Sequence, residues 1–503
     1  MTFRLGTARL RSRPSPWAGR LPGGVLTAVL LVVWEPAARA LALPVAAEEA
    51  LPSGTSEAGS VITVPVGQGG RAGQLRATFE PATGLPAQLE TRLGDSQHQW
   101  LQGAAALQVR KETTAAAAAP AHGSAIREGA VLARLDTLGL TMNSRWSREG
   151  AWLVWDLDFA GQGPRSGHEV TLDLPVLAPA LRLFTPGDRG VVDLSLLPSH
   201  RPVPYGFNGW GAASGRTAYV LPLASVFDVG KDCALTVALP PDQNIPHLQV
   251  EWVEARVLRF TLGHRGMGGG RPSPLRLLFT THQADYRSVL AAYASQFPAY
   301  FEPALPPSRY DGSFYYHHIQ AHPDFLEMER QNVRYLWSSF WFTHLGNYLP
   351  DEPDWYPYTY AKWWNLRETM NDGRINAFID EMLRHQVGTY AYFNVTEYGG
   401  SGGRSGEPAE ANRLLRERFA DALIRDASSN AIPTWEGAMA MNPGLGYSLW
   451  TQLKEQVERH LRRLPDCQGF VIDRLDWAST LDYGHDDGLS MVGDRPVENL
   501  AGP

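Results

Sequence analysis

Cysteine is scarce in this sequence, which has two cysteines, Cys233 and Cys467, among 503 residues. A zinc site of the kind that several cysteines form is therefore excluded. The two residues are far apart, in regions that we assign below to different domains. We predict that both are buried free thiols, although an oxidising compartment would permit a bridge between them.

An excess of positive charge is also lacking. The net charge is −7, and charged residues make up 19% of the chain. Proteins that bind nucleic acid or anionic membranes concentrate Lys and Arg on one face, and no basic run follows the N-terminal leader described below. Nucleic acid is therefore excluded as the main partner. The apolar fraction of 44% is typical of a globular protein, and a chain of this length forms two or three domains.

Several sequence motifs for cofactors and nucleophiles are missing. No strand–GxxxxGK[ST]–helix segment, HExxH motif or GxSxG elbow occurs. His317 and His318 lie near Asp311, but their spacing fits no standard set of metal ligands, so we interpret them as packed or solvated histidines. The sequence predicts no metal and no cofactor.

The first 42 residues have the pattern of a secretory signal peptide. Five arginines precede an apolar run at residues 24–34, which is short for a membrane span. Small residues at Ala38, Ala40 and Ala42 offer two cleavage sites. We expect a secreted or periplasmic protein with no membrane span after cleavage, and an N-terminal membrane anchor is the alternative. Residues 43–60, rich in Ala, Pro, Glu and Ser, are interpreted as a flexible linker.

Residues 61–281 show many short segments in which apolar and polar residues alternate, separated by turn residues. This pattern predicts a large antiparallel β-sandwich. Residues 284–294 have helical periodicity, and a proline-rich stretch follows. We interpret residues 282–309 as a helical linker between two domains.

From residue 310 onward, candidate strands and helices alternate, which predicts βα units and a parallel sheet. We expect strands at residues 312–319, 333–345, 389–395 and 469–473. Helices are expected at 323–332, after an Asp372 cap, at 410–427 and around 449–461. An eight-unit barrel takes about 250 residues, so residues 310–503 are expected to form the first half of such a barrel, with residues 488–500 starting a further unit. A complete open sheet is the alternative.

Catalytic groups of such barrels lie at the carboxyl ends of the strands. The strand at residues 469–473 ends in Asp473, and Asp476 follows. A carboxylate that leaves a buried apolar strand is costly unless it is paired or functional. Both residues are candidate catalytic carboxylates, and an ion pair between Asp473 and Arg474 is the structural alternative.

Other candidate site residues are expected to bind the substrate rather than to take part in the reaction. Asn394 and Glu397, at the end of the preceding strand, could hold sugar hydroxyls. Aromatic planes flanked by polar groups suit the apolar face of a sugar ring, although core packing is an equal alternative for Trp337. The candidate substrate-binding residues are Trp337, Trp341, Asp354, Trp355, Asn394, Glu397, Trp435 and Trp477.

The strand Gly-Phe-Val-Ile-Asp at residues 469–473 resembles the fourth barrel strand of clan D retaining glycosidases, families 31, 36 and their relatives. The β-rich region looks like the galactose-mutarotase-like β-supersandwich that precedes their barrel. The resemblance implies Asp473 as the nucleophile and Asp476 as a substrate contact or alternative carboxylate. It places the acid/base on a strand beyond the fourth, so we expect this chain to be inactive or severely impaired alone. An Arg-Leu-Asp sequence replaces a familiar Met-Asn-Glu type here, which leaves the choice between the two aspartates open.

The sequence therefore predicts a multidomain β and α/β protein, with a β-supersandwich before a partial TIM-type barrel. The favoured function is a secreted glycoside hydrolase-like protein that acts on the O-glycosidic bonds of a carbohydrate substrate. A non-catalytic glycan-binding or structural protein is the alternative.

Overall fold

The computed structural model describes most of the chain from Val61 onward. The described residues are 61–66, 73–80, 84–93, 96–113, 119–120, 122–127, 130–177, 181–186, 191–194, 200–204, 221–253, 256–302, 312–316, 323–338, 341–357, 369–400, 413, 415–434, 437–473 and 481–500. The leader at residues 1–42, the linker at residues 43–60 and the pair His317 and His318 lie outside them.

The first part of the described chain consists of strands, as the alternating pattern predicts. They are β1 (Val61–Val66), β2 (Gly73–Phe79), β3 (Pro86–Leu93), β4 (Ser96–Gln99), β5 (Ala106–Lys111), β6 (Ala119–Pro120), β7 (His122–Arg127), β8 (Ala130–Leu135), β9 (Leu140–Glu149), β10 (Trp152–Gly161), β11 (Ser166–Pro175), β12 (Leu181–Phe184), β13 (Val191–Asp193), β14 (His200–Pro204), β15 (Leu223–Asp228), β16 (Cys233–Ala238), β17 (His247–Val253), β18 (Val257–Met267) and β19 (Ser273–His282).

These strands form three antiparallel sheets. One is four-stranded in the order β1-β2-β3-β4, and a nine-stranded sheet runs β13-β12-β15-β16-β19-β10-β9-β8-β7. The third contains β18-β11-β5-β6, with β17 beside β18 and β14 beside β17. Side chains of β9 alternate between buried and exposed along most of the strand, as expected for a sheet with one face on the core.

Tryptophans fill the core of these sheets. Trp146 and Trp155 stack with their ring centroids 4.7 Å apart. Buried tryptophan needs a partner for its N–H, and both have one: Trp155 donates to Ser144 Oγ at 2.8 Å, and Trp146 donates to the Gly84 carbonyl at 2.8 Å. Both indole N–H groups are therefore satisfied within the apolar core.

The two cysteines are free, as predicted, but Cys233 is buried whereas Cys467 is half-buried. Cys233 lies in the core of the β-rich part, where burial raises its thiol pKa to about 12, and burial also raises the thiol pKa of Cys467. Neither is therefore a ready nucleophile, because the thiolate is the reactive form.

Helix α1 (Tyr286–Gln296) and the short α2 (Pro298–Phe301) follow the last of these strands. The Asp285 side chain caps α1 by accepting a hydrogen bond from the Arg287 N–H at 2.9 Å. Val289 and Tyr293 are the buried residues of α1, and the Tyr293 hydroxyl donates to the Leu239 carbonyl at 2.9 Å. The helix thus packs on the β-rich part, as its amphipathic pattern predicts.

The remaining elements alternate strand and helix up to residue 473, apart from one run of three successive strands. They are β20 (Ser313–Tyr316), α3 (Phe325–Arg330), β21 (Val333–Ser338), α4 (Asp372–Arg384), β22 (Gly388–Asn394), β23 (Glu397–Gly399), β24 (Ala438–Ala440), α5 (Ser448–Arg463), β25 (Gly469–Asp473), β26 (Leu481–Asp482), β27 (Ser490–Val492) and β28 (Arg495–Asn499). The predicted element types hold for most of this region. The strand expected at residues 333–345 is too long, because it ends at Ser338 and the described residues 341–345 form only isolated bridges at His344 and Leu345. The prediction that Asp372 caps α4 is wrong by one residue. The N-cap is Asn371, whose side chain accepts the hydrogen bond from the Arg374 N–H.

Strands β20, β21, β22 and β25 form a parallel four-stranded sheet in that order. Sequential parallel order is shared by a barrel and an open sheet, because each βα unit places its strand beside the previous one. The structure therefore shows a β-rich protein with several sheets, mostly antiparallel, and with few helices. The partial barrel stays a proposal.

The helix predicted at residues 410–427 is wrong over its last part. The described residues there contain a 3₁₀ turn at Ala420–Ala422, and Leu423 and Arg425 then form isolated β-bridges. Asp426 Oδ1 accepts hydrogen bonds from the Ser428 and Asn430 N–H groups. This side chain gives the backbone a turn in place of a helix.

The C-terminal residues also differ from the expectation that residues 488–500 begin another βα unit. Strands β27 and β28 form an antiparallel hairpin, and β26 pairs with β28. Ser490 of β27 pairs with Arg265 of β18, so the hairpin (residues 481–499) extends a sheet of the β-rich part. Two contacts attach the hairpin to the β-rich part. Arg165 forms an ion pair with Asp486, and the Gly493 N–H donates to the Glu112 carboxylate.

No helix within the described part of the chain is long and apolar enough to cross a membrane.

His460 on α5 makes the fold sensitive to acid. Its Nδ1 faces the Gln456 carbonyl at 2.7 Å, and its Nε2 lies 3.4 Å from the donating Trp341 Nε1. This arrangement suits a neutral ring, and burial lowers its pKa from 6.5 to about 4. The unfolded chain therefore binds more protons between these two values, and the stability present above pH 6.5 is lost as the pH falls towards 4.

We predict that His460→Gln weakens this pH dependence, because an amide cannot ionise. The melting temperature at pH 7 falls through lost packing, but the further fall between pH 7 and pH 4.5 is smaller than in the wild type by about 5 °C, equivalent to about 3 kcal/mol. Calorimetry of both proteins across this range is the measurement. Parallel curves would contradict the prediction.

Candidate active site at the carboxyl edge of the parallel sheet

The parallel sheet has two chemically different faces. On one face, Phe393 packs against His460 of α5 and against Phe470, with ring centroids 5.3 and 4.8 Å apart. Side chains of a strand alternate between faces, so Tyr392 and Asn394 belong to the opposite face. There Tyr392 stacks with Trp337 at a centroid distance of 5.5 Å. We call this second face the inner face.

Asp473 lies on the inner face at the carboxyl end of β25. Its backbone partner in the ladder is Asn394, the last residue of β22. The Tyr392 hydroxyl donates to Asp473 Oδ2 at 3.2 Å. Burial raises the pKa of Tyr392 well above its usual value, so this hydroxyl keeps its proton and remains a donor. The strand-end position that the sequence predicts for Asp473 is the position observed. The sequence also predicts that this strand is buried, whereas all five residues of β25, Asp473 included, are half-buried.

Asn394 and Glu397 are fully buried and hold each other. Asn394 Nδ2 donates to Glu397 Oε2, and Asn394 Oδ1 accepts from the Thr396 N–H at 3.0 Å. The Tyr348 hydroxyl lies on the Asn394 backbone, donating to its carbonyl. A buried carboxylate is costly unless it accepts hydrogen bonds, so Asn394 supports Glu397 in place. Their predicted contact with sugar hydroxyls remains a prediction.

The aromatic candidates occupy different depths. Trp341 and Trp355 lie in the core, 1% and 5% exposed. The Trp355 Nε1 donates to the Trp341 carbonyl at 2.6 Å, and the Trp341 Nε1 donates to His460 Nε2 at 3.4 Å, so both indole N–H groups have partners in the core. Trp337 is half-buried on the inner face. Asp354 is exposed, and it accepts a hydrogen bond from Asn371 Nδ2 at 2.8 Å.

Three further candidates, Asp476, Trp477 and Trp435, lie outside the described residues. The structure therefore brings Asp473, Asn394, Glu397 and Trp337 to one region of the parallel sheet. It places Trp341 and Trp355 beneath that region as core residues.

The sequence reasoning missed Tyr392 and Phe342 as members of the site. Tyr392 precedes Asn394 by two residues, so strand alternation alone puts both on one face. Phe342 stacks with Tyr392 at a centroid distance of 5.2 Å. Trp337, Tyr392 and Phe342 thus form an aromatic row next to Asp473, and alternation in residues 389–395 was the available signal for Tyr392.

A second polar cluster lies on the C-terminal hairpin. The side-chain ligand atoms of Asp482, His485 and Glu498 lie within 4.8 Å of one another. His485 Nδ1 is 2.5 Å from Asp482 Oδ2. Glu498 accepts hydrogen bonds from Asn442 and Tyr447, which lie on the loop before α5 and at its start. Glu498 is far from Asp482 and His485 in the sequence, so no sequence pattern indicated this cluster.

No family model and no curated protein sequence matches this chain. Solved structures do match. A GH31 family sulfoquinovosidase from E. rectale, in complex with an aza-sugar inhibitor, is 10% identical with a TM-score of 0.46, and the match covers 78% of this chain and 59% of that one. A GH36 alpha-galactosidase from Geobacillus stearothermophilus is 8% identical with a TM-score of 0.47, over 82% and 65% of the two chains.

A galactose mutarotase related enzyme from Lactobacillus acidophilus is 6% identical with a TM-score of 0.29, and the match covers 45% of this chain and 99% of that one. This chain thus spans about three fifths of the glycosidases named above. Sequence identities and TM-scores this low say nothing about activity, which is argued below from the geometry of the site alone. The proteins to which the chain is similar in structure are glycosidases of families GH31 and GH36 and mutarotase-related proteins, the kinds that the sequence resemblance names.

Proposed function

We propose that this chain is a glycoside hydrolase-like protein that acts on O-glycosidic bonds, with Asp473 as the nucleophile. The observation that carries the proposal is the position of Asp473. It is a carboxylate at the carboxyl end of a parallel strand, oriented by the Tyr392 hydroxyl at 3.2 Å and placed beside the aromatic row. Active sites of parallel βα folds form at this edge.

The reaction makes use of each of these features. In a retaining glycosidase, a carboxylate attacks the anomeric carbon as the bond to the leaving oxygen breaks, and a second carboxyl gives that oxygen a proton. Water then hydrolyses the glycosyl ester. Of the aromatic row, the half-buried Trp337 offers apolar surface for a sugar ring, while the buried Tyr392 and Phe342 support it from the core. The Tyr392 hydroxyl keeps the Asp473 carboxylate pointed at one position. The partial (β/α)8 barrel belongs to the same proposal.

We predict that Asp473 becomes covalently labelled by 2-deoxy-2-fluoro-glycosyl fluorides, because the 2-fluoro group slows hydrolysis of the glycosyl ester. The fluoride leaving group needs little help from an acid catalyst, so the test does not depend on the acid/base residue. Intact-mass spectrometry across a panel of sugars and both anomers detects the adduct.

The paired variants separate the two aspartates. We expect Asp473→Asn to abolish labelling and to lower turnover of dinitrophenyl glycosides by about 10³-fold or more. Asp476→Asn keeps the label. Labelling of Asp473→Asn at the wild-type rate would rule out Asp473, and no label or turnover with any sugar would favour a non-catalytic protein.

Tyr392→Phe removes the hydroxyl that donates to Asp473 and leaves the ring stack in place. A hydrogen bond to a charged group contributes about 1.5–3 kcal/mol, so we predict a fall in kcat/KM of about 10- to 100-fold with little change in melting temperature. Tyr390→Phe is the matched control, since Tyr390 precedes Tyr392 by two residues and its ring meets Tyr335. Equal effects of the two variants would contradict a special role for Tyr392.

We also propose that the protein is secreted or periplasmic. The arginine-rich start, the apolar run and the small residues at Ala38, Ala40 and Ala42 support export. Expression of the whole chain in a secreting host, followed by N-terminal sequencing, is expected to show a start at Leu41 or Leu43. An uncleaved chain that stays with the membrane fraction would support the anchor instead.

A further inference from the structure

The cluster on the C-terminal hairpin contains one imidazole and two carboxylates. Asp482 ends β26, His485 follows in the next loop, and Glu498 lies on β28. One ligand atom from each lies within 4.8 Å of the other two. Asp482 is fully buried, and the other two are half-buried. Two carboxylates so close and so shielded repel each other unless a positive charge lies between them.

Each of the three side chains forms a hydrogen bond with a group outside the cluster. Asp482 Oδ1 accepts from the Arg425 N–H at 3.0 Å. Glu498 Oε2 accepts from Asn442 Nδ2 and from the Tyr447 hydroxyl, both at 2.8 Å. His485 Nε2 lies 2.7 Å from the Asp421 carbonyl. Metal ligands are typically oriented in this way, by hydrogen bonds on the atoms that face away from the ion.

The imidazole shows where a cation belongs. The Asp421 carbonyl can only accept, so His485 Nε2 carries a proton, and a neutral ring then presents a lone pair at Nδ1. That lone pair faces Asp482 Oδ2 at 2.5 Å. At 2.5 Å the two atoms share a second proton, because metal–ligand bonds of about 2 Å would hold them farther apart. This proton balances Asp482 and leaves the Glu498 carboxylate uncompensated, whereas a divalent ion that replaced it, with His485 and Asp482 moving apart, would balance both carboxylates.

We propose that Asp482, His485 and Glu498 form a binding site for a divalent metal ion of the zinc or manganese type. Imidazole mixed with carboxylate suits these ions, while calcium and magnesium prefer ligand sets made of oxygen alone. Asp482 Oδ2, His485 Nδ1 and a Glu498 oxygen are the ligands, and water completes the coordination. The site is independent of the proposed glycosidase activity.

Such an ion would stiffen the hairpin where it meets the loops beside the candidate active site. The hairpin is already anchored to the β-rich part through Arg165–Asp486. On its other side, Asn442 contacts Glu498, and the neighbouring Met441 N–H donates to the Thr396 carbonyl at 2.8 Å, two residues beyond Asn394. The metal site therefore lies at one end of a run of hydrogen-bonded residues, from Glu498 through Asn442 and Met441 to Thr396, which precedes Glu397 of β23.

The test is direct metal binding to the whole chain. After dialysis against EDTA and removal of the chelator, we expect titration with Zn²⁺ or Mn²⁺ to load about one ion per chain, measured by plasma mass spectrometry, and to raise the melting temperature by about 5 °C. No retained ion and no thermal shift with either metal would overturn the proposal and leave His485 as an imidazolium.

Variants assign the binding to these residues. We expect Glu498→Gln and His485→Gln to weaken binding at least 100-fold. The control Asp494→Asn makes the same charge change on an exposed residue of the same hairpin, which pairs with Lys111, and keeps full binding. If Glu498→Gln does not fold, Tyr447→Phe removes one orienting hydrogen bond and is expected to weaken binding about 10-fold. Unchanged affinity in all of these variants would show that the ion binds elsewhere and overturn the assignment.

Discussion

The parallel ladder between β22 and β25 is the constraint on which the candidate site depends. It pairs Asn394 with Asp473 and Tyr392 with Val471, so the polar strand ends meet at one edge. A shift of one residue would turn every side chain of β25 to the other face. The apolar residues Phe470 and Ile472 would then leave the helix side, and Asp473 would enter it. Burial of the helix-facing residues therefore also sets the position of the carboxylate.

The helices behind the sheet hold this register. Arg463 at the end of α5 forms a paired contact with Asp372 at the start of α4. His460 lies buried between Trp341 and the rings of Phe393 and Phe470. These contacts join both helices to each other and to strand β22, which ends in Asn394. Aromatic side chains on both faces belong to the core, and on the inner face Tyr392 also contacts Asp473.

The C-terminal hairpin connects the two halves of the molecule. It extends the sheet containing β18 and also reaches the loop at Arg425 and Asn442. Its many aspartates look like a solvated loop in sequence. In the structure Asp487 accepts hydrogen bonds from its own turn and from Asn244 of the β-rich part, and Asp486 pairs with Arg165. The acidic residues are thus structural contacts between segments far apart in the chain.

The amino-acid sequence by itself determined the local elements. The amphipathic α4 and the alternating β9 follow from periods of 3.6 and 2 residues, and the strand ending at Asp473 follows from a continuous apolar run. All three patterns depend only on neighbouring positions. Tertiary structure alone decided which of these polar and aromatic residues meet. Trp341 and Trp355 are core residues because α5 covers them, and residues 481–499 form a hairpin because β18 offers a strand to pair with. Glu498 joins Asp482 and His485 only when β28 folds back along β26, a contact between distant residues that no local pattern encodes.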